Sequence, residues 1–392
     1  MYMNHEKSKM IKQVKFLTII IMMGFWFFNE ALSAENSKKT AESSPASAVM
    51  LENILTKLKL KGRAAVGYFN SQKDGLYRHS SFEVPDVKLV FGFKPDDVLD
   101  LVIRFNLNNG AANSPLTDYV YLQAKDFISP LKDTPWSLSG RLGRFKLGVG
   151  EETWSNNPIE GVLPSNSAAN IDGTDEGLEL SGKFWAFSIS NGQRGFNSET
   201  GEAKAWLGKL FYSPWDPLYM SATYYDSGSL KTSQAEVPVA GTIDRPTNAT
   251  NWKRQIGMAD VRFDFQKGSK SLNPPSGSDS KAFIRLSYGQ FEDSATKASD
   301  RKGKFGFMDI TYNCSSKIYT GAKVSFIDLD GSQTASLNGV SANHYERYSW
   351  GAGYRWSDNV QIKAGYDHNR NGGAGTKDVK DDLISALLTI RL

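Results

Sequence analysis

Ile384-Ser385-Ala386-Leu387-Leu388-Thr389-Ile390-Arg391-Leu392 closes the chain, with apolar side chains at 384, 386, 388, 390 and 392. Ser385, Thr389 and Arg391 stand among those between. Successive side chains of a strand point to opposite faces, so this spacing makes one face greasy and the other mostly polar. A transmembrane β-barrel needs such a strand, because a lipid-facing side must alternate with a lumen-facing one. The pattern recurs far upstream. Leu58, Leu60, Ala64, Val66 and Tyr68 interleave with Lys59, Lys61, Arg63, Ala65 and Phe69. Tyr348, Trp350, Ala352, Tyr354 and Trp356 interleave with Ser349, Gly351, Gly353 and Arg355.

Sixteen segments read as strands: 58–70, 82–93, 98–107, 118–127, 136–146, 176–183, 185–190, 203–213, 218–226, 254–265, 282–291, 305–313, 318–327, 345–356, 360–368 and 381–392. An even number suits a single-chain bacterial barrel, and the expected fold is all-β, a closed antiparallel up-and-down barrel of about sixteen strands. The connections sort into short turns rich in Pro, Asp and Asn, such as Lys94-Pro95-Asp96-Asp97 and Ser357-Asp358-Asn359, and long loops at 147–175, 227–253, 328–344 and 369–380. The long connection at 266–281, with Pro274-Pro275, falls on the short-turn side and breaks this rule. Tyr119, Tyr121, Trp136, Trp185, Tyr212, Trp215, Tyr219, Tyr312, Tyr319 and Trp356 gather at strand ends, where aromatic girdles are expected.

The first residues place the chain in an export pathway. Lys7, Lys9, Lys12 and Lys15 precede an apolar run at 16–28 and the small-residue stretch Ala31-Leu32-Ser33-Ala34. That order is a signal peptide, and the run is short for a bilayer span. The expected organisation is a signal peptide at 1–34 cleaved after Ala34, a spacer and lead-in at 35–57, and the barrel at 58–392; Met10 is an alternative start. The one cysteine, Cys314, excludes an internal disulfide, and a formal net charge of +4 is too small for a gross nucleic-acid-binding patch.

With apolar members outward, the inner face receives Lys59, Lys61, Arg63, Lys88, Arg104, Arg141, Lys183, Lys209, Arg262, Arg285, Lys323, Arg355, Lys363 and Arg391. Against them stand Asp100, Glu179, Asp260, Asp264, Asp309 and Asp367. A basic wall in a narrow pore favours anions, although such residues also simply solvate a lumen and pair with carboxylates. The loop at 147–175 carries Glu151, Glu152, Glu160, Asp172 and Asp175. Folded inward, it narrows the pore and sets acids opposite the basic wall.

The segments Ser81-Phe82-Glu83-Val84-Pro85-Asp86-Val87-Lys88-Leu89-Val90-Phe91-Gly92-Phe93-Lys94 and Leu142-Gly143-Arg144-Phe145-Lys146-Leu147-Gly148-Val149-Gly150-Glu151-Glu152 resemble the phosphate-selective porin O and P family, as does Asp175-Glu176-Gly177-Leu178-Glu179-Leu180-Ser181-Gly182 followed by Asn191-Gly192. The likeness covers about residues 82–192. Pro85, Asp86 and Val87 stand where that family carries a basic cluster. The resemblance implies a sixteen-stranded homotrimeric channel for small anions, phosphate among them, in the outer membrane of a Gram-negative-type bacterium, with the third loop folded inward. Arg144 is also among the expected pore-lining cations.

An enzyme is not expected. His79, His344 and His368 are isolated from any Ser or Cys motif, no pair of Cys or His has zinc-ligand spacing, and no cofactor motif is present. Two functional classes remain: a water-filled channel for small hydrophilic solutes and anions, and a barrel occupied by a partner as a sheath or displayed as an adhesin.

Overall fold

Sixteen long strands form one antiparallel sheet that closes on itself. The computed structural model describes residues 56–392 apart from 109–116, 133, 156, 193–203, 232–238, 244–245, 247–248, 266–280, 332–334, 338–339 and 373–378. The signal peptide and nearly all of the spacer lie outside the described residues, as does most of the long connection after residue 265. The strands are β1 (Leu58–Ser71), β2 (Ser81–Phe93), β3 (Leu99–Asn106), β4 (Thr117–Ala124), β5 (Ser139–Lys146), β6 (Asp172–Ser181), β7 (Trp185–Ser190) and β8 (Ala205–Trp215), followed by β9 (Leu218–Asp226), β10 (Asn251–Asp264), β11 (Ala282–Ala295), β12 (Arg301–Asn313), β13 (Ile318–Leu329), β14 (His344–Ser357), β15 (Val360–Gly372) and β16 (Leu383–Arg391). Every strand read from the sequence is present, and β10 pairs with β11 on both sides of the anomalous connection.

Closure is made by the alternating segment that ends the chain. β16 pairs with β15 on one side and with β1 on the other, from Arg63 opposite Arg391 to Ser71 opposite Leu383. The loops above this seam are stitched as well. Gln72 N donates to Asp382 O at 2.9 Å, and Asp74 N to Lys380 O at 2.9 Å. Burial alone would raise the Asp382 carboxyl. Hydrogen bonds from Tyr366 Oη, Asn369 N and His368 outweigh it and hold that carboxyl below its ordinary range.

The barrel is inside-out relative to a soluble protein. Outward Leu60 and Leu142 are each 60% exposed, while inward Arg262 and Asp264 are 0% and 1% exposed. Apolar residues outside and charges inside are what a lipid-embedded wall demands. Trp185, Tyr212, Trp215, Tyr312 and Trp356 point outward as expected of girdle residues. Tyr119, Tyr219 and Tyr319 do not, nor does Tyr121, which packs against the inward Phe145. They sit at inward register positions, the first three of them buried, because strand parity rather than proximity to a strand end decides which way a ring faces.

Two strands are shorter than their sequence pattern. Pairing of β4 with β5 stops at Ala124 opposite Gly140, and residues 125–138 form a connection with a 3-10 turn at Ser129–Leu131. Pro130 and Pro135 lack the N–H that a longer ladder would need. Within β5, Gly143 has a φ of 124°, and a Cβ there would lie 2.4 Å from Val120 O. Gly143→Ala should therefore cost about 1–3 kcal/mol. A lower urea midpoint for the folded barrel checks this, and an unchanged midpoint contradicts it.

Candidate functional site

The segment 147–171 between β5 and β6 turns into the barrel. Its Leu147, Val149, Ile159, Leu163, Ala168 and Ile171 are almost fully buried. All but Ile159 and Leu163 join a luminal apolar cluster with the wall residues Leu207, Ile256, Met258, Phe291, Phe305 and Ile327. Transfer of these side chains from water drives the loop inward. At Gly150 φ is 67°, and a Cβ there would strike the Met258 side chain. Glycine thus lets the chain bend against β10 and enter a one-turn helix, α1 (Glu152–Ser155).

Polar contacts then fasten the loop along one side of the wall. Glu151 Oε1 takes the Lys209 ammonium at 2.6 Å and the Tyr219 hydroxyl at 2.7 Å, from β8 and β9. Glu152 Oε1 receives Lys323 of β13 at 3.1 Å and the Ser167 N–H at 2.8 Å. Arg285 of β11, paired with Asp309, donates to Ser155 Oγ at 3.0 Å. Farther along, Glu160 meets Arg391 of β16 at 2.7 Å, Lys363 of β15 donates to Gly161 O at 2.5 Å, and Ser165 donates to Asp367 at 2.6 Å. Glu151 and Glu152 therefore face the wall beneath the loop, and are 5% and 6% exposed. Asp172 and Asp175 lie on β6 itself. Asp172 pairs with Lys146 at 3.2 Å, and Asp175 accepts the N–H groups of Glu176 and Gly192.

Glu152→Gln leaves the Lys323 ammonium buried without its counter-charge, which should cost up to about 3–5 kcal/mol and loosen the loop. Limited proteolysis of the folded barrel reads this as new cleavage between 152 and 168. Protection equal to that of the unaltered protein contradicts it.

The polar fastenings named above fall on β8–β16, and from the last of them, Arg391, a charged row continues into the sector β1–β4. Arg63 of β1 stands in register between Arg391 of β16 and Lys88 of β2, all three inward. Arg104 of β3 continues the row opposite Val90. Like charges side by side repel, and three carboxylates separate them. Asp86 meets Arg63 at 2.6 Å and Lys88 at 3.8 Å; Asp118 meets Lys88 and Arg104, each at 2.7 Å; Glu160 reaches Arg391 from the loop. Four cations stand against three acids. Asp118 is at an outward parity, but the β3–β4 register skips it between Arg104 opposite Tyr119 and Phe105 opposite Thr117. That bulge lets its carboxylate join the row. Arg104 also lies over the Tyr119 ring at 3.4 Å. Lys59 and Lys61 are inward, exposed and without an ion-pair partner among the described residues.

The remaining cations have other surroundings. Arg262 pairs with Asp264 at 2.6 Å, Arg141 with Glu179 at 2.5 Å, and Arg355 donates to Asn313 at 2.8 Å over the Tyr319 ring. Lys183 sits in the turn between β6 and β7, over Phe184. Arg144 shares the register of outward Leu142 rather than of Arg141, and binds Glu176 Oε1 at 2.5 Å. Among the histidines, His344 lies 3.4 Å from Asp328 and 3.2 Å from Glu346, and His368 lies 3.0 Å from Asp382. No cluster of three or more potential metal ligands occurs among the described residues.

Solved structures share the fold of this closed barrel. The chain matches the outer membrane channel DcaP of Acinetobacter baumannii with a TM-score of 0.56 and 11% identity, over 86% of this chain and 97% of that one. The fold is that of outer-membrane porins and channels. OmpT of Vibrio cholerae, an outer membrane protein in its trimer form, matches with a TM-score of 0.54 and 12% identity over 86% and 99% of the two chains. OprB of Pseudomonas putida matches with a TM-score of 0.51 and 11% identity over 88% and 96%. No protein-family model and no curated protein matches the sequence. At these identities the likeness to the porin barrels is one of fold.

Proposed function

We propose that the protein is an outer-membrane diffusion channel for small hydrophilic solutes, with a preference for anions. The observation that carries this reading is the uneven charge of the lumen: polar side chains of β8–β16 fasten the loop, and from the last of these fastenings, Arg391, a predominantly basic row continues across β1–β3. Four cations against three acids in that row, with Lys59 and Lys61 on the same wall, make the local potential positive. Permeant anions concentrate at such a wall. Inorganic phosphate is one such anion, although the acids Asp86 and Asp118 among the cations temper any strong selectivity for it. A lumen narrowed by the protein's own loop also leaves little room for a sheathed partner.

A homotrimer fits the outer surface. The exposed outward apolar residues of β2–β6 include Phe82, Val84, Leu122, Leu142 and Leu178, with no Trp or Tyr among them, while β7–β15 carry Trp185, Trp206, Tyr224, Tyr288, Tyr312 and Trp350. Amphipathic rings anchor a wall at the headgroup level, so the sector without them is the one expected to face another copy.

Purified protein reconstituted in a planar bilayer tests the channel reading. Stepwise conductance is expected, with a zero-current potential in a potassium chloride gradient that reports chloride as the more permeant ion. Absence of steps overturns the channel, and a potassium preference overturns the anion assignment.

A further inference from the structure

A second luminal site lies against β5–β9, beneath the start of the inward loop. It is a cavity of about 430 Å³ whose lining includes Arg141, Glu151, Trp154, Glu179, Lys209 and Tyr219. Its charges close on each other. Arg141 pairs with Glu179, and Lys209 pairs with Glu151, so two cations meet two carboxylates and the lining carries no net charge. A free anion or cation gains little there.

Hydrogen-bonding capacity remains, however. Arg141 directs Nε and Nη2 to the same oxygen of Glu179, Oε1, at 2.9 and 2.5 Å. Nη1 of Arg141 and Oε2 of Glu179 have no hydrogen-bond partner among the described residues. The pair therefore keeps one N–H donor and one carboxylate acceptor for a ligand in the cavity. A hydroxyl group is donor and acceptor at once, and neighbouring hydroxyls on one carbon frame use such a pair of atoms together. The Trp154 indole, half-buried on α1, passes 3.4 Å from where a Cβ on Gly148 would stand. Glycine keeps that side of the ring uncrowded. An aromatic face is what the C–H side of a sugar ring packs against.

We propose that this cavity binds a neutral polyhydroxylated solute of mono- or disaccharide size, stacked on Trp154 and hydrogen-bonded by Arg141 and Glu179. The proposal rests on the channel reading, since the solute arrives through the lumen. The test tells the failure of one from the failure of the other.

The experiment is single-channel recording in a planar bilayer with D-glucose and maltose as probes, and with glycerol at matched viscosity as the control. Stepwise conductance in potassium chloride alone comes first; its absence would overturn the channel reading and this proposal with it. In a conducting channel, glucose or maltose should reduce the current saturably, with half-effect in the millimolar range expected of a few hydrogen bonds and one stacked ring. Glycerol should give only the unsaturated, viscosity-linked decrease. Trp154→Ala should weaken the block about tenfold, and Trp154→Phe should restore most of it. Glu179→Gln, on the wall rather than the loop, leaves Arg141 without its counter-charge. It should weaken glucose block and introduce block by glucose 6-phosphate, a change of ligand charge preference that a merely structural role would not produce. A conducting channel without saturable glucose or maltose block overturns the proposal. So does stronger block of the unaltered channel by glucose 6-phosphate than by glucose, or a Trp154→Ala channel that is blocked as before.

Discussion

A chain truncated before Ile384 is expected not to assemble. β16 hydrogen-bonds to β1 across nine residue pairs and to β15 across eight, so its removal uncovers two strand edges at once. Unpaired backbone groups in hydrocarbon cost several kcal/mol each, and the charged inner face would open to lipid. The truncation also removes Arg391, the wall partner of Glu160. The full-length barrel should stay folded in SDS at room temperature and migrate differently after boiling. The truncated chain should show one unfolded mobility and should not accumulate in the membrane. Normal accumulation of a heat-modifiable truncated protein would contradict this account of closure.

Reversing the charge of Lys59, Lys61 and Arg63 together should have the largest effect on ion preference. Their alternation with outward Leu58 and Leu60 puts all three on the inner wall, and replacement by Glu changes the local charge by six units. Arg63→Glu also sets a second carboxylate beside Asp86, which now meets Arg63 at 2.6 Å. Chloride preference should fall or invert, most clearly at low salt, where the screening length reaches about 30 Å at 0.01 M. The zero-current potential of the assembled triple variant decides it. An unchanged potential in a folded, conducting channel would show that the first strand does not govern selectivity.

Period-2 alternation was enough to find all sixteen strands, because lipid on one side and water on the other leave a strand little freedom of parity. The signal weakens where parity slips. Asp118 reads as an outward residue, yet a bulge brings it to Lys88 and Arg104. Arg144 reads as one more wall cation, yet its register is that of Leu142. The pairing of Arg262 with Asp264 joins two residues on one face of β10, whereas that of Arg285 with Asp309 crosses to the adjacent strand and emerges only once the β11–β12 register is known. Least visible was the fate of the loop acids. Glu151 and Glu152 look like charges aimed across a pore, but their partners Lys209 and Lys323 lie on distant strands of the wall they rest against. Only the inward burial of Leu147, Val149 and Ile171 determines that side.

The fastening of that loop has a mechanical consequence for the proposed channel. A segment anchored at Glu151, Glu152, Ser155, Glu160, Gly161 and Ser165 to wall strands from β8 to β16 has no single hinge about which to swing. It belongs mechanically to the wall, and the cross-section of the passage is set once, when the barrel closes. For the channel proposed above, this predicts a sieve rather than a valve: solutes should partition by size and charge at equilibrium, and the current through one molecule should rise in proportion to the applied voltage.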